Sequence, residues 1–214
     1  MGGTAMTAKR ANNSKSTRRR DQDDETDVKR LVDDFKRGNQ RAFTELVRRY
    51  RPQVISLAYK MTADYDEASD VAQNVFLKMA HNIWRYDPGK KFYTWLYRIT
   101  VNASIDHMRK IQRHRHEPLE QIFNVPESRL NDPDYNFYRR QLRHHVSRAS
   151  LKLTDKQRTA FVLRDVEGCR VTDVSRMMDM PEATVRWYLH RARAQIRKEL
   201  LKRCPHILTT MGLH

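Results

Sequence analysis

The side chains with the greatest chemical reach in this chain are cations and aromatic rings set side by side. From residue 83 the sequence reads Ile83-Trp84-Arg85-Tyr86-Asp87-Pro88-Gly89-Lys90-Lys91-Phe92-Tyr93-Thr94-Trp95-Leu96-Tyr97-Arg98, six aromatic residues among basic ones. Such rings stack on unpaired bases for ~1–3 kcal/mol each, and the interleaved cations hold the sugar–phosphate backbone. Residues 84–115 carry eight Lys/Arg against Asp87 and Asp106, a net +6. The expected chemistry is capture of unstacked single strands, with Leu96 and at least one or two of the rings kept for the core. A helical repeat from Trp95 puts Trp95, Arg98, Asn102 and Arg109 on one arc. Leu96, Ile99 and Ala103 fill another, the core side.

A second cationic set lies near the C-terminus. Val171 to Met178, then Asp179-Met180, then Pro181 onward has helix-turn-helix proportions, with Ser175 small where two helices would cross. In the second helix Val185, Leu189, Ala192, Ile196 and Leu200 form a buried stripe. Arg186, His190, Arg193 and Arg197 repeat at the same spacing on another face. That stripe suits the major groove, where arginine donates two bonds to guanine and its neighbours hold phosphates. Residues 141–203 hold 15 basic and 7 acidic side chains, a net +8.

A third face has the opposite character. Helical spacing over 65–82 buries Ala68, Val71, Ala72, Val75 and Met79, and sets Asp66, Asp70, Gln73 and Leu77 together outside. An acidic, amide-bearing face with one apolar residue repels DNA and suits a positively charged protein partner.

Catalytic chemistry is not indicated. There is no phosphate-binding glycine loop, and the carboxylates fall at helix-surface spacing. Cys169 reads as a packing residue and the Cys204/His206 pair as inert, so neither a metal nor a cofactor is expected. Two cysteines and no apolar run near ~18 residues fit a reducing cytoplasm and no membrane insertion.

The elements that position these groups are helices. The chain has 214 residues, a net charge of +16 and a mean hydropathy of -0.86. Its six glycines lie outside the patterned segments or where a helical pattern stops, and no segment alternates like a strand, so the fold class is all-α. A tail over 1–26, basic and then acidic, reads as disordered. Helical patterns run over 27–37, 40–50, 52–62, 65–82 and 93–111, with Pro52 in the first turn of its helix and Asp64 and Glu67 at capping-box spacing. Residues 112–135, with Pro118, Pro126 and Pro133, read as a flexible linker between two small helical domains, 27–111 and 136–204. Helices resume over 136–150, 155–167, 171–178 and 181–203, and Thr154 and Gln157 repeat the cap spacing. Residues 205–214 form a C-terminal tail.

Taken by residue type alone, a dimeric helix-turn-helix regulator of duplex DNA and an RNA-binding protein both accommodate the charge. The first leaves the acidic face and the aromatic segment without a role.

Two stretches resemble a known family. Asp66-Glu67-Ala68-Ser69-Asp70-Val71-Ala72-Gln73-Asn74-Val75-Phe76-Leu77-Lys78 and Phe92-Tyr93-Thr94-Trp95-Leu96-Tyr97-Arg98-Ile99-Thr100-Val101-Asn102 resemble region 2 of bacterial sigma-70-family sigma factors. Leu151-x-Leu153-Thr154-x-x-Gln157-Arg158, Val166-Glu167-Gly168 and Ala183-Thr184-Val185-Arg186-Trp187-Tyr188-Leu189-His190-Arg191-Ala192-Arg193 resemble region 4. The short linker without a middle domain resembles the extracytoplasmic-function (ECF) group. Leu153-Thr154 stands where the family usually has Leu-Pro, and Asp173-Val174-Ser175 where it has Glu-Ile-Ala; both changes keep the capping or packing role.

The resemblance implies a region 2 helical bundle and a region 4 helix-turn-helix on an RNA polymerase core of β′ and β subunits. It assigns core binding to Asp66, Asp70, Gln73 and Leu77. Recognition and melting of the −10 element fall to Arg85, Tyr86, Lys90, Lys91, Phe92, Tyr93, Trp95, Arg98, Asn102 and Arg109. Reading of the −35 element falls to Glu182, Ala183, Arg186, Trp187, His190 and Arg193, with Arg176 on phosphate. The linker threads toward the polymerase active site and RNA exit path, and an anti-sigma factor is an expected partner.

Overall fold

The computed structural model describes residues 25–114 and 145–203, and these are helical with no strand among them. The long tail, most of the linker, residues 136–144, Cys204, His206 and residues 205–214 lie outside the described residues.

Helix α1 spans 25–36, so Glu25 and Thr26 are helical rather than part of the tail, and a Glu25 carboxylate oxygen accepts from the Phe92 backbone N–H at 3.3 Å. Gly38, at φ 94, carries the chain out of α1. The Asn39 side chain then caps α2, Gln40–Thr62, by accepting from the Arg41 N–H at 3.0 Å.

Pro52 lies inside α2 rather than at the start of a separate helix. The reason is the apolar stripe on both sides of the proline: Leu46 before it and Val54 and Ala58 after it are buried in the first bundle's core, and Leu57 and Met61 are buried in a second cluster beside it. That shared packing outweighs the lost backbone bond at the proline.

Asp64 caps α3, Tyr65–Asn82, accepting from the Glu67 N–H at 3.0 Å as the spacing predicts. A short 3₁₀ turn, Ile83–Arg85, and the loop 86–91 lead into α4, Phe92–His114, which extends past the expected end at 111. Helices α1–α4 close around Val32, Leu46, Val54, Val75, Met79, Phe92 and Leu96.

The second bundle starts with α5, 145–150, and α6, Asp155–Phe161. At the start of α6 the Thr154 side chain accepts from the Gln157 N–H, and the Gln157 side chain accepts from the Thr154 N–H, a complete capping box. The helix expected to run to 167 instead widens into a π-turn over Val162–Val166 and ends at Gly168, whose φ of 72 lets the Cys169 N–H return to the Leu163 carbonyl at 3.0 Å.

Helices α7, Val171–Met178, and α8, Glu182–Arg203, form the helix-turn-helix. Ser175 does more than permit close approach: its hydroxyl donates to the Met180 carbonyl at 2.6 Å and staples the turn. Val185, Leu189, Ala192, Ile196 and Leu200 are all buried, as their spacing predicts.

The two bundles share a core. Leu57, Met61, Val101 and Met108 of the first pack in one cluster with Leu153, Phe161, Val174, Met177 and Leu189 of the second. The face of α4 that meets the second bundle is an i+4 ladder of Tyr93, Tyr97, Val101 and Ile105.

Candidate nucleic-acid and protein interfaces

The acidic face of α3 stands in solvent. Asp66, Asp70 and Gln73 are exposed, and Leu77 retains 62% of its surface. Ala68, Val71, Ala72, Val75 and Met79 are buried behind them, joined by Phe76. The packed inner stripe fixes the outer one, so the four side chains form a preset surface. Tyr65, 59% exposed at the start of the helix, is a further apolar group that the spacing did not single out.

The aromatic segment divides in an unexpected way. Phe92 is fully buried, and its ring sits 5.1 Å from Tyr50, 5.2 Å from Tyr86 and 5.6 Å from Trp95. Phe92, expected on the melting face, is enclosed by packing here. Tyr86 and Trp95 are also mostly buried, at 3% and 8% exposure, so most of these rings build the core. The Tyr86 hydroxyl donates to the Lys90 carbonyl at 2.7 Å, which closes the 86–91 loop, and burial pushes its pKa up to about 12. Within that loop the Asp87 side chain accepts from the Gly89 N–H at 2.8 Å.

What the buried rings build is the floor of a basic cavity of about 300 Å³. Tyr86 and Trp95 line it beside Arg85, Lys90, Lys91 and Arg98, with the carboxylates of Asp87 and Asp179 also on its wall. No carboxylate lies within ion-pair distance of Arg85, Lys91 or Arg98 among the described residues. Lys90 pairs only loosely with Asp87, at 3.7 Å. Aromatic walls under an excess of cations suit a base with its phosphates. Asn102 is exposed on the outer arc of α4. Trp84 is 68% exposed beside Arg85; it is the freest ring of the segment, and sequence spacing alone does not separate it from the buried ones.

Two residues of the proposed melting face are engaged by the second bundle. The Tyr93 hydroxyl donates to Asp173 at 3.0 Å, and burial pushes its pKa up to about 12. Arg109 pairs with Asp155 at 3.0 Å. Cys169 lies in the same seam, where burial pushes its thiol up to about 11. Alkylation of Cys169 at pH 8, followed by peptide mass spectrometry, is expected to run roughly tenfold or more slower than that of an unperturbed thiol, since the thiolate is scarce. A rate equal to free cysteine would contradict that placement.

On the helix-turn-helix, Arg186, His190, Arg193 and Arg197 are exposed along α8, as the spacing predicts. With Leu189 and Ala194 they line an open groove, to which the π-turn adds Arg164. Arg186 is held by Glu182 at 2.8 Å, and Arg193 forms two parallel bonds to Asp165 at 2.7 and 2.8 Å that raise its pKa further. Such pairs pre-orient a guanidinium that can exchange its carboxylate for a phosphate or a base edge. Ala183 and Trp187 are exposed on the same helix, with the Arg191 guanidinium 5.3 Å from the Trp187 ring. Arg176 departs from the expected set: it lines the first cavity rather than the α8 groove and pairs with Asp173 at 3.4 Å.

Among the described residues no group of three His, Cys, Asp or Glu side chains is disposed to hold a metal ion, and no helix is long and apolar enough to cross a membrane.

A chain whose described residues are helical, with an exposed acidic face on α3, a cation-lined aromatic cavity and a helix-turn-helix, matches two family models, Sigma-70 region 2 over residues 46–114 and Sigma-70, region 4 over residues 143–196. It belongs to the sigma-70 family of RNA polymerase sigma factors, in the ECF group. It is 31% identical over 180 residues to the ECF RNA polymerase sigma factor SigW of Bacillus subtilis, which covers 81% of this chain and 96% of the relative. It is 33% identical over 179 residues to the RNA polymerase sigma-H factor of Pseudomonas aeruginosa, covering 79% and 92%. Among solved structures it resembles CnrH in complex with the cytosolic domain of CnrY, at a TM-score of 0.58 and 24% identity over 81% of this chain and 96% of that one. It also resembles the sigma factor RpoE bound to the anti-sigma factor NepR from Bartonella quintana, at a TM-score of 0.59 and 20% identity over 74% and 96%. These two likenesses place the fold.

Proposed function

We propose that the chain binds RNA polymerase core through the α3 face of Asp66, Asp70, Gln73 and Leu77, and directs initiation at promoters it reads in two places. The cavity of Arg85, Tyr86, Lys90, Lys91, Trp95 and Arg98, with Tyr93, Asn102 and Arg109 on the flank, takes the melted −10 strand. The α8 face of Glu182, Ala183, Arg186, Trp187, His190 and Arg193 takes the −35 duplex. Phe92 supports the cavity from behind, and Arg176 acts beside it. The observation that carries this reading is the opposition of charge between an acidic, partly apolar face on α3 and a cation-rich aromatic cavity at the start of α4, to whose wall Arg176 and Asp179 of the second bundle contribute.

The bonds made and broken in RNA synthesis belong to the polymerase, so the chain acts without catalysis of its own, in the cytoplasm. The relatives solved with CnrY and with NepR support an anti-sigma factor as its regulatory partner.

Arg186 gives the sharpest test of the −35 assignment. Arg186→Ala is expected to reduce discrimination between its −35 sequence and a scrambled one by ~1–3 kcal/mol, measured by competition binding of the holoenzyme to duplex fragments, because a bidentate base contact is lost. Equal discrimination by both proteins would remove Arg186 from base reading.

A further inference from the structure

The outer strip of α3 continues past Leu77. Gln73 and Leu77 stand one turn apart, His81 follows one turn later, and Trp84 comes seven residues after Leu77, two turns on. All four are exposed, and Leu77 and Trp84, at 62% and 68%, are the large apolar groups of the strip. Met79 and Ile83, on the opposite side, are buried and hold the strip outward. The backbone beneath Trp84 is tied down as well. The Asn82 side chain donates to the Lys78 carbonyl at 2.8 Å, and the Tyr86 N–H donates to the Ile83 carbonyl at 3.1 Å. Between the two apolar groups, His81 Nδ1 donates to the Leu77 carbonyl at 2.8 Å, which keeps that ring close to the helix. An indole on fixed backbone has only two side-chain torsions to lose on binding, so it suits an interface.

Charge decides between the melted strand and the polymerase as the partner of this ring. The strip of Asp66, Asp70, Gln73, Leu77, His81 and Trp84 holds two carboxylates and no lysine or arginine, so it repels phosphates. Arg85, the next residue, lines the basic cavity, and Trp84 does not. We propose that Trp84 is a second apolar anchor of core docking, seated with Leu77 on an apolar patch of the polymerase that positive charge surrounds. Asp66 and Asp70 supply the charge at one end of the strip, and Trp84 closes the other. Its addition lengthens the docking strip from about 17 Å to about 27 Å at helical rise. This rests on the core-binding role proposed for the α3 face.

The test uses the full chain and bacterial core polymerase without DNA. Trp84→Ala is expected to weaken core binding about tenfold, and Trp84→Phe to stay within about threefold of wild type, because the aromatic anchor is lost in one and kept in the other. Trp84→Arg is expected to bind more weakly than Trp84→Ala, since it adds the charge sign that the partner carries. Thermal stability stays close to wild type in all three, as the ring is mostly in solvent. Hydroxyl-radical footprinting with mass spectrometry gives a direct readout on the unaltered chain: core is expected to suppress oxidation of Trp84 together with that of Leu77.

Unchanged core affinity in Trp84→Ala, or undiminished oxidation of Trp84 in the complex, would overturn the proposal. So would a Trp84→Ala protein that binds core normally but opens promoters poorly at saturating core, which would give the ring to the melted strand. Leu77→Arg separates this proposal from the reading beneath it. If Leu77→Arg loses core affinity and Trp84→Ala keeps it, the α3 reading stands and the second anchor fails. If both keep it, the α3 reading itself fails.

Discussion

Replacing Arg158 with alanine is expected to destabilise the C-terminal bundle by about 3–5 kcal/mol, enough to shift its urea midpoint clearly or to prevent folding. The side chain is 5% exposed and makes no direct ion pair among the described residues, the nearby Asp155 carboxylate acting on it only through space. Its guanidinium instead donates to three backbone carbonyls: Ser150 at 3.0 Å, Leu151 at 2.6 Å and Met61 at 3.2 Å. Two of these belong to the end of α5 and the turn after it, and Met61 lies in the last turn of α2, where helical carbonyls lack partners of their own. A cation is favoured at such ends. Burial lowers the guanidinium pKa, but the bonded carbonyls offset the lost hydration. Truncation removes the side-chain donor of the Leu151 and Met61 carbonyls, while the Ser150 carbonyl keeps the Leu153 N–H at 3.1 Å, and opens a cavity besides. A loss under ~1 kcal/mol would mean that water replaces the guanidinium at little cost.

The second large effect falls on binding. Leu77→Arg is expected to weaken association with RNA polymerase core by at least ~30-fold, about 2 kcal/mol, while leaving thermal stability within ~0.5 kcal/mol. Leu77 is 62% exposed on a helix whose buried stripe lies opposite, so the substitution disturbs no packing. It replaces an apolar contact of an acidic face with a charge of the sign its partner is proposed to carry. Fluorescence titration of labelled protein with core, beside a melting curve, separates the two effects. Unchanged core affinity would move the docking surface off this face.

Local periodicity made much of the architecture readable. The α3 and α8 stripes place each apolar residue on the side where it is buried, because a helix with one packed face writes that face at 3.6-residue spacing. Both cap pairs, Asp64 with Glu67 and Thr154 with Gln157, form as their spacing predicts. Long-range packing was less legible. The ladder of Tyr93, Tyr97, Val101 and Ile105 is present in the sequence, but beside the Leu96 stripe it makes α4 apolar on two sides. Periodicity does not say that the second side meets another bundle.

The aromatic segment shows the same limit. Both Phe92, wholly buried, and Trp84, mostly exposed, are large aromatic side chains among basic neighbours, and tertiary packing sorts them. One consequence concerns mutagenesis. Trp95 packs on Phe92 and Tyr86, so truncating it to alanine removes core volume along with any base contact. The exposed cations Lys91 and Arg98 probe strand binding with less disturbance to the fold. Arg158 is visible in the sequence only as part of a family-like motif, because nothing in its neighbours announces that it would be buried against carbonyls from two bundles.

The central claim, that this chain brings polymerase to particular promoters, is tested most directly by transcription. Bacterial core polymerase with and without the protein is supplied with fragmented genomic DNA of the native host, and the RNA 5′ ends are sequenced. The account predicts discrete starts that require the protein and share a two-part motif upstream, with the parts spaced for the α8 face and the cavity on one DNA. Core that is active with a control sigma factor but yields no protein-dependent starts would contradict it.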